Sequence, residues 1–319
     1  MEWGAGKHHV GSGSSHAFRT LQAVIVMSIW WGTLFAPSIV HAAELSKDTL
    51  VYWEAYLDHA RPQIDSESSF LWVDQKPERL RRVRQGEMLV SPVGKDNPKP
   101  VDSGLIHDWM GAAFLPDTKI EDVFAAVRDY GNYKNYYKPT VVESKLLGTN
   151  GPCETYSMLV VNKEAVAGTA LDMEYETCYF KIDERRWYST TRTTRVQEIR
   201  HQGRVDEQEL PPDHGSGYVW RLYSVAKFEQ RDGGTYVEVE AIALSRDIPM
   251  ALRWVANPIV RRVSRNSMLV SLHQMKEAVR LNEDAERSSN VPLTAHNGSG
   301  GAGASDAGIL KSLASMGKP

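Results

Sequence analysis

Two cysteines in 319 residues exclude a disulfide-dense scaffold and a multi-cysteine zinc site. A net charge of −3 leaves no basic surplus for nucleic acid or another polyanion. The glycines that cluster, Gly298 to Gly303, have no strand before them and no helix after them, so they form no phosphate-binding loop. His8-His9 lies at the extreme N-terminus, and the body of the chain has no His-x-x-x-His pair. A metal set would have to be assembled from distant residues. No cofactor, no metal and no catalytic residue is therefore assigned, and whether the chain is an enzyme stays open, with the balance toward binding.

What is present is ordinary globular composition, 42% hydrophobic and 24% charged. Basic residues Lys7 and Arg19 precede an apolar run, Leu21 to Val40, broken by Pro37 and followed by His41-Ala42-Ala43. This pattern predicts a secretory signal over residues 1–42, cut after Ala42, and a periplasmic or secreted protein. The alternative is an N-terminal membrane anchor, since the run approaches spanning length. Both place the rest of the chain in an oxidising compartment.

Residues 43–100 read as an N-terminal extension packed on the main domain. Leu50, Tyr52, Trp53, Tyr56, Leu57 and Ala60 recur at helical spacing across Glu44–Arg61, and Pro77–Gln85 is a second, basic helical piece. Gly86–Val90 suits an edge strand, and Pro92, Gly94, Pro98 and Pro100 mark a loop. The main domain spans 101–283. It opens with a strand, Ile106–Leu115, whose alternation sets Met110, Ala112 and Phe114 against His107, Trp109, Gly111 and Ala113. His107 and Asp108 thus face opposite ways and do not serve one site jointly. Thr118-x-x-Glu121 suggests a capping box before the apolar helical face Ile120, Val123, Phe124, Val127, with Gly131 as its stop. The aromatic piece Tyr133–Tyr137 and a strand from Val141 to Leu147 follow. Beyond Leu281 the composition turns Ser-, Asn- and Gly-rich, and 284–319 reads as a disordered tail.

Two hairpins can be registered from side chains alone. A turn at Ala165-Val166 puts Tyr156 opposite Tyr175, Met158 opposite Met173 and Val160 opposite Leu171, with Thr155 facing Glu176 and Ser157 facing Glu174. Apolar meets apolar and polar meets polar, as a two-faced sheet requires. Cys153 then falls opposite Cys178 on the outer face, and a cross-strand disulfide is expected, two free thiols being the alternative. Between these hairpins lie a Thr- and Arg-rich strand, Trp187–Ile199, and a polar loop from His201 to Ser216. The turn signal Asp232-Gly233 sets Phe228 against Val237, Ala226 against Val239, Ser224 against Ala241, and Leu222 against Ala243. The small residues on this inner face leave volume beneath whatever covers them, unless the cover lies close.

The cover is the longest amphipathic helix, which Pro258 suits as a first-turn residue. Its apolar positions are Ile259, Val263, Met268, Leu272, Met275 and Val279, and Arg261, Arg262 and Arg265 stand on the other face. The fold class is α+β: a curved antiparallel sheet wrapped around a long C-terminal helix, with an N-terminal helical extension.

This order of elements is the helix-grip arrangement. The stretch Asp117-Thr118-Lys119-Ile120-Glu121-Asp122-Val123-Phe124 through Tyr130-Gly131-Asn132-Tyr133, then Tyr137-Lys138-Pro139-Thr140-Val141, resembles the opening of START-like and polyketide-cyclase-like domains of the SRPBCC superfamily. Ser245-Arg246-Asp247-Ile248-Pro249 before the long helix resembles their ending. The resemblance covers roughly Leu105–Leu281 and implies a hydrophobic cavity between sheet and helix. Lipid carriers, cyclases, hormone binders and oxygenase subunits share that superfamily, so the likeness is specific for fold and weak for activity. The expected partner is a hydrophobic small molecule or lipid, with no nucleic acid and at most transient membrane contact. Candidate lining residues are Tyr156, Met158, Met173, Tyr175, Leu222, Ala241, Met268 and Leu272. Arg192 and Arg195 are candidate head-group anchors if they point inward; outward, they pair with acidic neighbours. The alternative function is a cyclase- or hydrolase-like enzyme acting on a polycyclic or acyl substrate in the same cavity.

Overall fold

The computed structural model describes residues 43–60, 69–161 and 169–289. The expectations for a signal over 1–42, for the turn at Ala165-Val166 and for most of the tail fall outside them.

Alternating strands build one ten-stranded sheet with the order β2-β4-β12-β11-β8-β7-β6-β5. Its long members are β4 (Gly104–Pro116), β5 (Val141–Asn150), β6 (Cys153–Val161), β7 (Ala170–Lys181), β8 (Arg186–Arg200), β11 (Arg221–Arg231) and β12 (Gly234–Arg246). β2 (Leu89–Pro92) and β3 (Lys99–Val101) pair with β4 at one edge, and β9 (Gln208–Glu209) pairs with β8. The main ladders are antiparallel, and the first long strand closes against the last, Trp109 lying opposite Ala241. Both predicted registers form. Tyr156 pairs with Tyr175 and Met158 with Met173. Ser224 pairs with Ala241 and Phe228 with Val237. The second hairpin turns through Asp232 and Gly233 at φ 57° and 80°, the left-handed conformation a two-residue turn needs at both positions. Cys153 and Cys178 are joined in a disulfide.

Helices cover both faces. On the concave face lie α3 (Ile120–Val127), the short α4 (Tyr133–Tyr136) and α5 (Arg253–Ser289). Leu115, Val123, Phe228, Met268, Leu272 and Val279 form the core there. On the convex face, α1 (Lys47–Ala60) seats Trp53 and Leu57 against Ile106, Ile242 and Leu244. A 3-10 turn, Trp72–Gln75, and α2 (Pro77–Arg84) seat Leu71, Val73 and Val83 against Ala112, Phe114 and Tyr236. The buried Glu238 carboxylate accepts the Trp72 and Val73 backbone N–H groups at 2.7 and 2.8 Å. The strand β1 (Ala43–Glu44) pairs with β10 (His214–Gly215). This is the helix-grip arrangement, with a second layer of short helices on the outside.

Several local expectations are corrected. The cap of α3 is one residue later than Thr118: the Asp122 carboxylate accepts the Lys119 N–H at 3.0 Å, while Thr118 Oγ1 lies near Pro116 O and the Glu283 carboxylate. α3 ends at Val127, and Gly131 falls in a 3-10 turn, Tyr130–Asn132. α5 starts at Arg253, so Pro258 sits inside it and removes one backbone bond near its start. It also runs to Ser289, beyond Leu281. Ile259 is exposed, because the spacing of five between Val263 and Met268 turns the earlier apolar positions off the buried face.

Candidate functional site

The C-terminal helix is seated along only half its length. From Met268 onward it buries Met268, Leu272, Met275, Ala278 and Val279. Between 253 and 267 no described side chain is buried. The reason for the seated half lies in β4. A Cβ at Gly111 would stand 2.9 Å from Met268 Sδ and 3.1 Å from Leu272 Cδ1, so the helix reaches the sheet where a side chain is missing.

The sheet beneath the unseated half records the same opening. Along β12 the inner positions go from buried Val237 to half-buried Val239, Ala241 and Ala243. Along β11 they go from buried Phe228 to half-buried Ala226, Ser224 and Leu222. Met158 and Val160 on β6 are also half-buried. They form a strip of the concave face, here called the groove, in which Ala226, Val239 and Ala241 border the Met268 core and Met158, Val160 and Leu222 border the tyrosine cluster. At its end the 3-10 turn Met250–Leu252 and the start of α5 expose Met250 (78%), Trp254 (79%), Leu252 and Ile259.

The eight expected lining residues divide among three environments. Tyr156, Met173 and Tyr175 are buried in a filled cluster with Tyr130, Tyr133, Leu171 and Val196. Tyr156 stacks between Tyr130 and Tyr175, with ring centroids 4.2 and 5.0 Å away. Met268 and Leu272 are in the seated core. Met158, Leu222 and Ala241 are only partly buried, the first two at the margin of the tyrosine cluster and Ala241 at the margin of the Met268 core. The aromatic cluster was legible only as a run of tyrosines. What the sequence reading missed is that Tyr130 and Tyr133 fold over the sheet and fill it.

That cluster is anchored by charge. Arg128 forms an ion pair with the buried Glu154 carboxylate, which also accepts the Tyr130 hydroxyl at 2.9 Å. The Tyr133 hydroxyl donates to Val127 O at 2.6 Å. Burial pushes the Tyr130, Tyr133, Tyr156 and Tyr175 hydroxyls well above their usual range, so they stay protonated.

Arg192 and Arg195 do not face the groove. Arg192 pairs with Glu176 at 2.8 Å, and Arg195 with Asp172 and Glu174 at 2.6 and 3.0 Å, all on the convex face. A bulge between Glu174 and Tyr175 lets the strand keep its apolar residues inward while both arginines point out. Arg192 there lines a second hollow of about 670 Å3, between α1 and the sheet, with Trp53, Leu57, Phe180, Tyr188 and Tyr223.

His107 Nε2 lies 2.8 Å from Ser245 Oγ. Burial lowers the imidazole pKa to about 4, so it is neutral and a weak base. His107 Nδ1, Trp109 Nε1 and Asn257 Oδ1 are buried atoms without a hydrogen-bond partner in the chain. Asp108, on the opposite face, accepts the Tyr56 hydroxyl at 2.7 Å. Among the described residues, no group of three or more His, Cys, Asp or Glu side chains gathers as a metal site.

No protein-family model and no curated protein matches the sequence. Solved structures do match in fold. A fragment of the STAR-related lipid transfer protein from Xanthomonas axonopodis covers 60% of this chain and 98% of its own, at 15% identity and a TM-score of 0.39. Human STARD10 covers 72% and 89%, at 11% identity and 0.40. The Zhui aromatase/cyclase from Streptomyces sp. R1128 covers 58% and 98%, at 10% identity and 0.39.

Proposed function

We propose that this protein binds, and carries, a hydrophobic small molecule or lipid in the groove between the sheet and the unseated half of α5. The observation that supports this is the run of small, partly buried inner residues, Ser224, Ala226, Ala241 and Ala243, beside a half of α5 that buries no described side chain. Apolar ligand surface laid there gains about 25 cal/mol per Å² before ordering costs. The exposed Met250, Leu252, Trp254 and Ile259 supply a surface through which a ligand passes from a membrane during brief contact. The disulfide fits an exported protein, since such bonds persist in oxidising compartments. Among the described residues, no helix is long and apolar enough to cross a membrane.

The enzymatic alternative has less support. His107 and Ser245 touch, but His107 Nδ1 has no carboxylate to orient it, and a base of pKa about 4 takes few protons at neutral pH.

Filling the groove tests the reading. The neutral fluorescent probe N-phenyl-1-naphthylamine should bind the wild-type protein, and Ser224→Trp should weaken that binding about tenfold or more with the melting midpoint held. Ser224→Ala should bind as wild type. Absence of probe binding, or binding that ignores Ser224→Trp, removes the carrier reading. Native mass spectrometry of protein isolated from its source would identify a co-purifying ligand.

A further inference from the structure

The ten-stranded sheet has two ends, and they are finished differently. At one end β2 is four residues long and closes on Pro92, which offers no backbone N–H to a neighbour. At the other end β5 runs for ten residues, Val141–Asn150, and among the described residues it pairs with β6 alone. The other side of its backbone is an open ladder. Edges of this length are normally covered, shortened or lined with charge, because they recruit other strands.

β5 carries apolar side chains where a solvated edge needs polar ones. Val142, Leu146 and Leu147 are 42%, 51% and 45% exposed. Val142 and Leu147 are the extra residues at two bulges, between Val141 and Glu143 and between Leu146 and Gly148. Bulges can themselves blunt an edge. Here they leave a regular stretch between them, Glu143–Leu146, in step with Leu159 through Tyr156 on β6. Ser144 in that stretch is held from α4, its hydroxyl accepting the Lys134 backbone N–H at 2.9 Å.

The stretch is complementary to itself. When two copies of one strand pair antiparallel about a two-fold axis, the axis passes where a residue faces its own copy, because hydrogen-bonded and non-hydrogen-bonded pairs alternate along the ladder. With the axis at Glu143 or at Lys145, like charges face one another. With the axis at Leu146, Lys145 faces Leu147 and Glu143 faces Thr149. With the axis at Ser144, Glu143 faces Lys145 of the second copy and Val142 faces Leu146 of the second copy. Each of these pairs forms twice. Among the described residues, no ion pair within the chain engages Glu143 or Lys145.

We propose that β5 is the interface of a two-fold symmetric dimer, in which a second copy of this chain adds its β5 antiparallel with the axis at Ser144. This goes beyond the binding reading above and does not depend on it. Opposite charges and apolar pairs directly across a ladder each stabilise it. A self-complementary contact uses up the edge, so assembly stops at two chains. A contact built on one strand is smaller than a standard interface, so dissociation in the micromolar range is expected.

Sedimentation equilibrium of the full chain, from about 1 to about 200 μM, should show monomer and dimer in exchange. Lys145→Glu should weaken the dimer about tenfold or more, since the axis turns one substitution into two repulsions, and Glu143→Lys should do the same. Glu143→Lys with Lys145→Glu exchanges the charges, keeps them complementary and should return the affinity close to that of the wild type. Val142→Ser should weaken the dimer several-fold. All these side chains are exposed, so the melting midpoint of dilute protein should hold in every variant. A monomer over the whole range overturns the proposal. So does a dimer that ignores both single charge variants, since another surface then joins the chains. Failure of the exchanged pair to recover, with its midpoint held, overturns the axis at Ser144 and the interface with it.

Discussion

His107 and Glu238 occupy buried positions on opposite faces of the sheet and titrate in opposite senses. His107 has its pKa lowered to about 4 by burial, against 6.5 in the unfolded chain. Between those values the unfolded state takes a proton that the folded state refuses, so stability is lost as pH falls from 6.5 toward 4. Glu238 has its pKa raised to about 7 by burial, against 4.5. Between those values the folded state keeps a proton that the unfolded state releases, so stability is lost as pH rises from 4.5 toward 7. Each contribution is about 3 kcal/mol at most. Urea unfolding across pH 4 to 8 should show a shallow net slope in the wild type. His107→Gln should leave stability falling with pH, and Glu238→Gln should leave it rising. Identical slopes in all three proteins would exclude both assignments. The Cys153–Cys178 bond is a second residue-scale contribution. It spans a sequence separation of 25. Closing a loop of that size stabilises by about 3 kcal/mol in the chain-entropy account. Cys153→Ser with Cys178→Ser should lower the urea midpoint accordingly, and a reductant should lower the wild type to the same value.

At the scale of the element, α5 is one helix with two environments, and Gly111 marks the division. Its missing side chain admits Met268 and Leu272, and beyond that contact one face of the helix, Met275, Ala278 and Val279, stays buried. Gly111→Ala should push the helix off β4, costing about 1–3 kcal/mol by overpacking. The nearest atom is a flexible thioether, so Met268→Ala should return part of that loss. A thermal-denaturation cycle of the two single variants and the double measures the coupling, and additive losses would deny the contact its role. The later apolar spacings of four, three and four, from Met268 to Val279, keep one face. The break lies between Val263 and Met268, where a spacing of five carries the stripe around the axis. That is why Ile259, alike in chemistry to Leu272, stands in solvent.

At the scale of the whole molecule, one stretch of chain at the start of α5 exposes Met250, Leu252, Trp254 and Ile259. The exposed Arg262 and Arg265 follow in the same helix. Apolar side chains with basic neighbours suit the surface of an anionic bilayer. Co-sedimentation with vesicles of phosphatidylglycerol and phosphatidylcholine should therefore exceed that with phosphatidylcholine alone. Trp254→Ser with Met250→Ser should reduce it several-fold while probe binding in the groove persists. Loss of probe binding in the same variant would mean that these residues line the ligand site instead of serving as its doorway.

The sequence by itself determined the strands, both hairpin registers, the disulfide pairing and the helix-grip order, because each rests on local chemistry. Alternation identifies faces, Asp232-Gly233 sets a turn, and matching side chains across a ladder allow one register. Three features belonged to the tertiary structure. Tyr156, Met173 and Tyr175 read as cavity lining, yet Tyr130 and Tyr133 arrive from a separate segment and fill that end of the sheet. Arg192 and Arg195 read as possible anchors, and a bulge that no propensity announces turned them outward. The two environments of α5 follow from where Gly111 of β4 lets Met268 and Leu272 approach the sheet. Angles and distances between elements follow from how all the side chains pack together, and no stretch of sequence carries them alone.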